Sequence, residues 1–94
     1  PFIHPGEMLK TELVDEVGLS ITEIARLLQV SRQAVSGIMN QRADISPEMA
    51  VRIAIVFGGT PDIWMRLQVQ YDLSKAAQKI KTLKLIPYKP RRIA

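Results

Sequence analysis

Apolar residues recur along this chain at helical spacing, and residues that begin or end helices bound each run. Leu9, Leu13 and Val17 are four residues apart, which places them on one face of a first helix. Pro5 suits the first turn of that helix, where its missing N–H leaves no hydrogen bond unmade, and Gly18 suits its end. No segment before residue 82 shows a useful length of strand-like alternation. The pattern therefore predicts an all-α chain.

Two short helices are predicted next. Ser20 and Glu23 have the spacing of a capping box, in which each side chain accepts a hydrogen bond from the other residue's backbone N–H. Ser31 is a favoured first residue for the following helix. The positions predicted to face inward on these two helices are Ile21, Ile24, Ala25, Leu28, Ala34, Val35, Ile38 and Met39.

Residues that favour the start of a helix recur at two further places in the chain. Ser46 before Pro47 and Glu48 begins a fourth helix, and Gly58 and Gly59 end it. A fifth helix begins at Thr60, Pro61 and Asp62 by the same chemistry and continues toward Ile80. The inward positions predicted on helices four and five are Met49, Ile53, Phe57, Ile63, Trp64, Leu67 and Tyr71.

Composition narrows the class of protein. Ninety-four residues with 47% apolar and 23% charged side chains fit one small globular domain, whose modest core would gain from oligomerisation. Residues 1–80 are predicted to form the domain and residues 81–94 a basic tail. The absence of a basic-then-apolar leader pattern and of a long apolar run predicts a cytoplasmic protein with no membrane span.

Enzymatic and metal chemistry find little support. The sequence has no cysteine, and His4 is its one histidine, so neither a thiolate or histidine metal cluster nor a histidine triad can be built within one chain. There is also no glycine-rich phosphate loop. We expect no catalytic residues, metal or cofactor, and we expect His4 to lie at the surface beside the first helix.

The net charge of +4 is unevenly placed. Residues 1–23 sum to −4, residues 24–43 to +3, residues 44–72 to −2 and residues 73–94 to +7. The excess therefore belongs to the C-terminal end, and the acidic remainder contains one basic island, formed by Arg26, Arg32 and Arg42. The tail could contact DNA phosphates, bind an acidic partner or stay solvated, with a short strand over its apolar residues when docked.

The basic island coincides with a helix-turn-helix pattern over residues 21–43. Ala25 is small enough to let the next helix cross closely, and Val35 and Ile38 would fix the crossing angle. The usual glycine of the turn is replaced by Gln29, whose expected left-handed conformation costs roughly 1 kcal/mol. Two helices of an α-helical core that bind nothing are the simpler alternative.

The second helix of such a motif enters the major groove and presents polar side chains to the bases. Gln33 can pair with adenine and Arg32 with guanine, while Ser36 and Asn40 can reach bases or phosphates. Gly37 would allow close approach of the DNA backbone. The full set of predicted DNA-binding residues is Thr22, Ser31, Arg32, Gln33, Ser36, Asn40 and Arg42.

Three stretches resemble the HigA family of antitoxins, also known as virulence-associated protein I, within the XRE-type helix-turn-helix group. They are "HPGEMLKTEL", "LSITEIARLLQVSRQAVSGIMNQRADISPEMAVRIAIVFGG" and the distinctive "TPDIWMRLQVQYDL". The resemblance covers about residues 3–73. It implies a five-helix fold like that of lambda repressor, in which the DNA-reading face is residues 31–40 and Trp64, Leu67 and Tyr71 form the dimer and core segment.

The same resemblance implies function. Members form homodimers, repress their own operon by binding double-stranded palindromic operator DNA, and silence a HigB toxin, a small RelE-like ribonuclease that cleaves messenger RNA. Glu12, Asp15 and Glu16 predict an exposed acidic helix face that could meet a basic toxin. A stand-alone XRE repressor without a toxin, and a helical interaction module that never touches DNA, are the alternatives.

Overall fold

The computed structural model describes residues 2–90, so the predictions that fall on Arg91 and Arg92 lie outside the described residues. Helix α1 spans Pro5–Lys10 and continues into a π-helical segment, Thr11–Glu16. The other helices are α2, Ile21–Leu28; α3, Arg32–Met39; α4, Pro47–Phe57; and α5, Pro61–Ile80. Within residues 2–90 there is no strand, and residues 84–90 have no regular structure. The all-α, five-helix prediction is confirmed.

Serine side chains begin three of the helices, as predicted. The Ser20 hydroxyl accepts from the Glu23 N–H and the Glu23 carboxylate accepts from the Ser20 N–H, both at 3.1 Å. The Ser31 and Ser46 hydroxyls accept from the backbone three residues on, at 3.0 and 3.1 Å. Thr60 precedes α5 without a side-chain capping bond. These bonds satisfy N–H groups that have no partner within the helix.

One hydrophobic core joins all five helices. Helix α2 packs on α3 and α4, α4 packs on α5, and α1 packs on both α3 and α5. The buried apolar residues are Leu9, Leu13, Ile24, Ala25, Leu28, Val35, Ile38, Met39, Ile45, Met49, Ala50, Ile53 and Trp64. Ile21 and Phe57 are partly buried against this core, so the helix-turn-helix pair is held from behind by the other three helices.

Two residues predicted to face inward do not. Val17 is 64% exposed. Its N–H donates to the carbonyl of Glu12, five residues back, which closes a π-helical turn. Because this turn is wider than an α-helical turn, Val17 is rotated off the face that holds Leu13. Ile63 is 51% exposed because the buried line of α5 passes through Trp64 and Gln68. A buried glutamine carries no hydrophobic signal, so the apolar pattern predicted Ile63 as inward and missed Gln68.

The molecule is longer than a compact domain. Its radius of gyration is 17.7 Å and its principal extents are 59 × 29 × 22 Å, whereas a compact chain of this length would have a radius of gyration of roughly 12 Å. The difference arises because residues 75–90 are exposed throughout. The end of α5 and the following residues therefore project from the core as an arm. No helix among the described residues has the length and apolar character needed to cross a membrane.

Candidate nucleic-acid interface

The turn between α2 and α3 sets the orientation of the candidate reading helix. Gln29 has φ 57° and ψ 47°, which is the left-handed conformation predicted for it. The Gln29 N–H donates to the Arg26 carbonyl at 3.2 Å and the Val30 N–H donates to the Ala25 carbonyl at 3.0 Å. These bonds close α2 as a glycine would, so the substitution of the usual glycine leaves the motif intact.

Arg52 of α4 braces this turn from outside the motif. Its Nη1 atom donates to the carbonyl of Leu28 at 2.7 Å and also lies 3.4 Å from that of Gln29. Its Nη2 atom donates to the Glu48 carboxylate at 3.1 Å. The sequence analysis missed this residue, since the spacing of Glu48 and Arg52 signals only an ion pair within one helix.

The structure brings most of the predicted DNA-binding side chains to one surface, the reading face. A cleft of about 330 Å³ on this face is lined by Arg32, Gln33, Ser36, Gly37 and Arg42. Gln33, Asn40 and Arg42 are exposed, while Ser36 and Gly37 are partly buried. Because the lining mixes two cations with amide and hydroxyl groups, it suits phosphate and base edges.

Several of these side chains already have partners within the protein. The Nε atom of Arg32 donates to the Thr22 hydroxyl at 2.8 Å, and the Asn40 amide donates to the Ser36 hydroxyl at 3.1 Å. The Ser31 hydroxyl is taken up by its capping bond. Ser31 is therefore placed to hold the helix end, whereas Arg32 and Thr22 form a pair at the edge of the reading face.

The loop after α3 is fixed by its backbone. Gln41 has φ 62°, and the N–H groups of Arg42 and Ala43 both donate to the Gly37 carbonyl, at 2.8 and 3.1 Å. The N–H of Ile45 donates to the side-chain oxygen of Gln68 at 2.8 Å, a buried bond to α5. Arg42 is thus carried on an anchored loop and not on a loose connection.

The first turn of α1 contacts the C-terminal end of the reading helix. Gly6 lies so close to the Ile38 carbonyl that a Cβ atom there would overlap it. The Gln41 amide lies 3.4 Å from the Glu7 carboxylate. Glycine is needed at position 6 because α1 abuts the backbone of α3.

The surface position expected for His4 is wrong. His4 is 2% exposed, and its Nδ1 atom accepts from the Gly6 N–H at 2.9 Å, which makes it the cap of α1. Its ring meets the ring of Tyr71 edge to face at 4.8 Å. Capping by a histidine next to a proline is not a common start signal, which is why the sequence placed it outside.

The predicted dimer and core segment of α5 faces its own chain. Trp64 is in the core, Leu67 packs against it, and Tyr71 is partly buried on His4. Lys75 lies over the outer side of the Tyr71 ring at 5.4 Å. The acidic side chains of the π-helical segment, Glu12, Asp15 and Glu16, are exposed.

Comparison with known proteins gives consistent matches. Residues 9–64 match the family model described as Helix-turn-helix. Virulence-associated protein I of Dichelobacter nodosus is 35% identical over 86 residues, which are 92% of this chain and 80% of that protein. Antitoxin HigA-1 of Vibrio cholerae is 34% identical over 71 residues, which are 76% of this chain and 67% of that protein.

A solved structure extends the similarity to almost the full length. The Pseudomonas aeruginosa antitoxin HigA with the higBA promoter superimposes with a TM-score of 0.87 at 33% identity. The match covers 98% of this chain and 100% of that one. The likeness therefore includes the arm as well as the helix-turn-helix core.

Proposed function

Because this chain belongs to the helix-turn-helix family of DNA-binding regulators and antitoxins, in the group of virulence-associated protein I and HigA, we propose that it represses its own operon as a dimer and neutralises a toxin. The family is one of DNA-binding proteins and not of enzymes. The observation that carries the proposal is the reading face, where residues from α3 and its loop line one polar, cationic cleft.

The roles of the reading-face residues follow from how they are held. Gln33 projects from the first turn of α3, the part of a recognition helix that reaches base edges. Arg42, on the anchored loop, is placed for a phosphate. Arg32 is held by Thr22, which orients its guanidinium toward guanine or the DNA backbone.

DNA binding is tested on the DNA upstream of the gene at two salt concentrations, against random DNA of equal length. We expect tighter binding to the upstream DNA and a loss of affinity as salt rises, since each neutralised phosphate releases counterions. No binding at low salt would leave only the interaction-module alternative. Equal affinity for both DNAs would contradict an operator-specific role.

The dimer is supported by an exposed apolar stripe along the second half of α5. Val69, Leu73, Ala76 and Ile80 are all exposed, and their spacing of four, three and four residues is that of a coiled-coil seam. A soluble monomer has little reason to present such a stripe on a projecting helix. A twofold dimer through α5 would place two reading helices on one palindromic operator, about 34 Å apart.

The dimer is tested with one charge placed on the stripe and one placed off it. Leu73→Glu should shift the protein toward monomer in analytical ultracentrifugation, because the carboxylate would be buried in the seam. Gln78→Glu, on the same helix outside the stripe, is the matched control. A wild-type protein that sediments as a monomer at micromolar concentration would refute the seam.

The antitoxin role rests on the relatives, several of which carry that name. The partner we propose is a HigB-like toxin, a small basic ribonuclease that cleaves messenger RNA, and the exposed acidic side chains of the π-helical segment are complementary to such a protein.

Gene neighbourhood and copurification separate this role from that of a stand-alone repressor. We expect a gene for a small basic ribonuclease-like protein beside this one, and we expect its product to copurify with this chain and lose its RNA cleavage. If neither the gene nor the copurifying protein is found, while upstream DNA is bound specifically, the chain is a stand-alone repressor.

A further inference from the structure

The buried end of the His4 ring is the least explained polar group of the described chain. Its Nε2 atom is fully buried and has no hydrogen-bond partner among residues 2–90. A buried donor left unpaired is costly, so such a group is expected to find a partner. The nearest acid is Asp44, whose Oδ1 atom lies 3.6 Å away.

The protonation of the ring follows from its other nitrogen. Because Nδ1 accepts the Gly6 N–H, a neutral His4 must carry its proton on Nε2. The nitrogen that carries this proton is the one that lies 3.6 Å from the Asp44 carboxylate. Asp44 is 68% exposed, so its side chain can turn to close 3.6 Å to a hydrogen bond of about 2.8 Å without disturbing the core.

Asp44 stands in the loop that presents Arg42 to the reading face. The first half of that loop is tied to α3 through Gly37, and Ile45 is tied to α5 through Gln68. Besides the contact of Gln41 with Glu7 in α1, the loop approaches the N-terminal part of the chain through the Asp44 side chain, which lies 3.6 Å from His4. We propose that His4 is a positioning residue for DNA binding: its Nε2–H holds the Asp44 carboxylate and so adds a side-chain bond to the backbone bonds that hold the loop of residues 41–44. The inference rests on the proposed DNA-binding function.

The hydrogen bond is tested first without DNA, by nitrogen-15 NMR of the imidazole. His4 is the one histidine of the sequence, so its signals need no further assignment. We expect the Nε2–H form with a slowly exchanging Nε2 proton in the wild type. The slow exchange should be lost in Asp44→Ala and kept in Asp44→Asn, whose amide oxygen still accepts. Exchange as fast in the wild type as in Asp44→Ala would overturn the inference.

The positioning role is tested on operator binding. Asp44→Ala removes a negative charge, which by itself would favour binding to DNA, yet we expect it to weaken operator affinity about threefold to tenfold. Asp44→Asn removes the same charge and keeps the acceptor, so it should bind at least as tightly as the wild type. Asp62→Ala removes the same charge from an exposed position in the first turn of α5 and is the matched control, expected to bind no more weakly than the wild type.

The two readings fail separately. Suppose that the wild type has a protected Nε2 proton and that Asp44→Ala binds the operator with wild-type affinity. That result would overturn the positioning role while leaving DNA binding intact. A wild-type protein that does not bind the upstream DNA would refute the proposed function, while the NMR result would still decide whether the hydrogen bond exists. Combining Asp44→Ala with Arg42→Ala should cost no more than Arg42→Ala alone, and additive losses would contradict action through Arg42.

Discussion

Base reading and phosphate binding should be separable at single residues of the reading face. Gln33→Ala should reduce discrimination at one operator base pair by about 1–3 kcal/mol, because a bidentate contact to adenine is lost. Arg42→Ala should instead weaken binding to operator and random DNA alike. Fluorescence anisotropy with single-base operator variants measures both effects. An equal loss on operator and random DNA for Gln33→Ala would contradict its reading role.

Substitution by alanine is expected to have opposite effects at Gly37 in α3 and at Gly6 in α1. At Gly37, in the reading helix, an added Cβ would lie 3.6 Å from that of Ala43, which is ordinary contact. Gly37→Ala should therefore stabilise the fold by about 0.5–1 kcal/mol, as alanine does within a helix. The same methyl group should weaken operator binding, because it stands where DNA is proposed to approach. Chemical denaturation and anisotropy measure the two effects.

Gly6→Ala is the contrasting variant. Its methyl group would overlap the Ile38 carbonyl, so α1 must shift, at a cost of about 1–3 kcal/mol in the free energy of unfolding.

The contradicting outcome for Gly37→Ala concerns DNA binding. If this variant is more stable and still binds the operator with wild-type affinity, DNA does not approach the protein at Gly37.

The residues that the sequence predicted well are those whose cause is local. Ser20, Ser31 and Gln29 act on backbone atoms within a few residues, so their spacing alone determines their role. Arg52 and Gln68 bond across the fold, and His4 lies beside Asp44, in each case to residues that only packing brings near. Such long-range polar contacts could not be predicted from the spacing of residues along the sequence.

At the scale of the element, helix α2 has the fullest set of local signals and the clearest pH dependence. Two hydrogen bonds lower the pKa of Glu23 below its ordinary value of 4.5. The bond from the Ser20 backbone has the larger effect, and the bond with the Ser20 side chain has the next largest. A lowered folded-state pKa contributes stability above the ordinary value, and the contribution is lost as pH falls through the folded pKa. The capping box should therefore weaken in acid.

The variant Glu23→Gln isolates this contribution because glutamine can accept the same hydrogen bond without titrating. We expect the wild type to be the more stable protein at neutral pH and its advantage to shrink as pH falls below 4.5. Thermal unfolding of both proteins from pH 7 to pH 3 measures the difference. A difference that stays constant over that range would show that the carboxylate charge contributes nothing.

Helix α5 shows where periodicity alone is insufficient at this scale. Its length was predicted from the start signal at Pro61 and the run toward Ile80. Trp64, Leu67 and Tyr71 face inward as predicted, but Ile63 is exposed and Gln68 is buried, a position that a hydrophobic pattern reads as outward. Val69 and Leu73 lie on the exposed side of the helix, which is the face proposed for the dimer.

At the scale of the whole molecule, the core and the projecting arm differ in charge as well as in shape. The core through Asp72 is net negative and holds three cations outside the basic island, Lys10, Arg52 and Arg66, while the residues after Asp72 carry cations only. A net-negative core is repelled by DNA, and residues 24–43, which hold the basic island and no acid, are where it is best placed to approach. Residues 73–94 also contain cations and no acid, and we therefore expect the tail to contribute to binding through phosphates.

Removal of residues 82–94 tests this expectation. The deletion takes away Lys84, Lys89, Arg91 and Arg92 and leaves α5 complete. Each phosphate contact contributes about 0.9 to the slope of log affinity against log salt, so the slope should become shallower by about one to four. Replacing the same four residues with glutamine is the control that keeps the apolar part of the tail. If the glutamine variant retains the wild-type slope, the tail does not contact phosphate. A loss of affinity confined to the deletion would then assign the tail's contribution to Leu83, Leu85, Ile86 and Tyr88, which are exposed in the single chain.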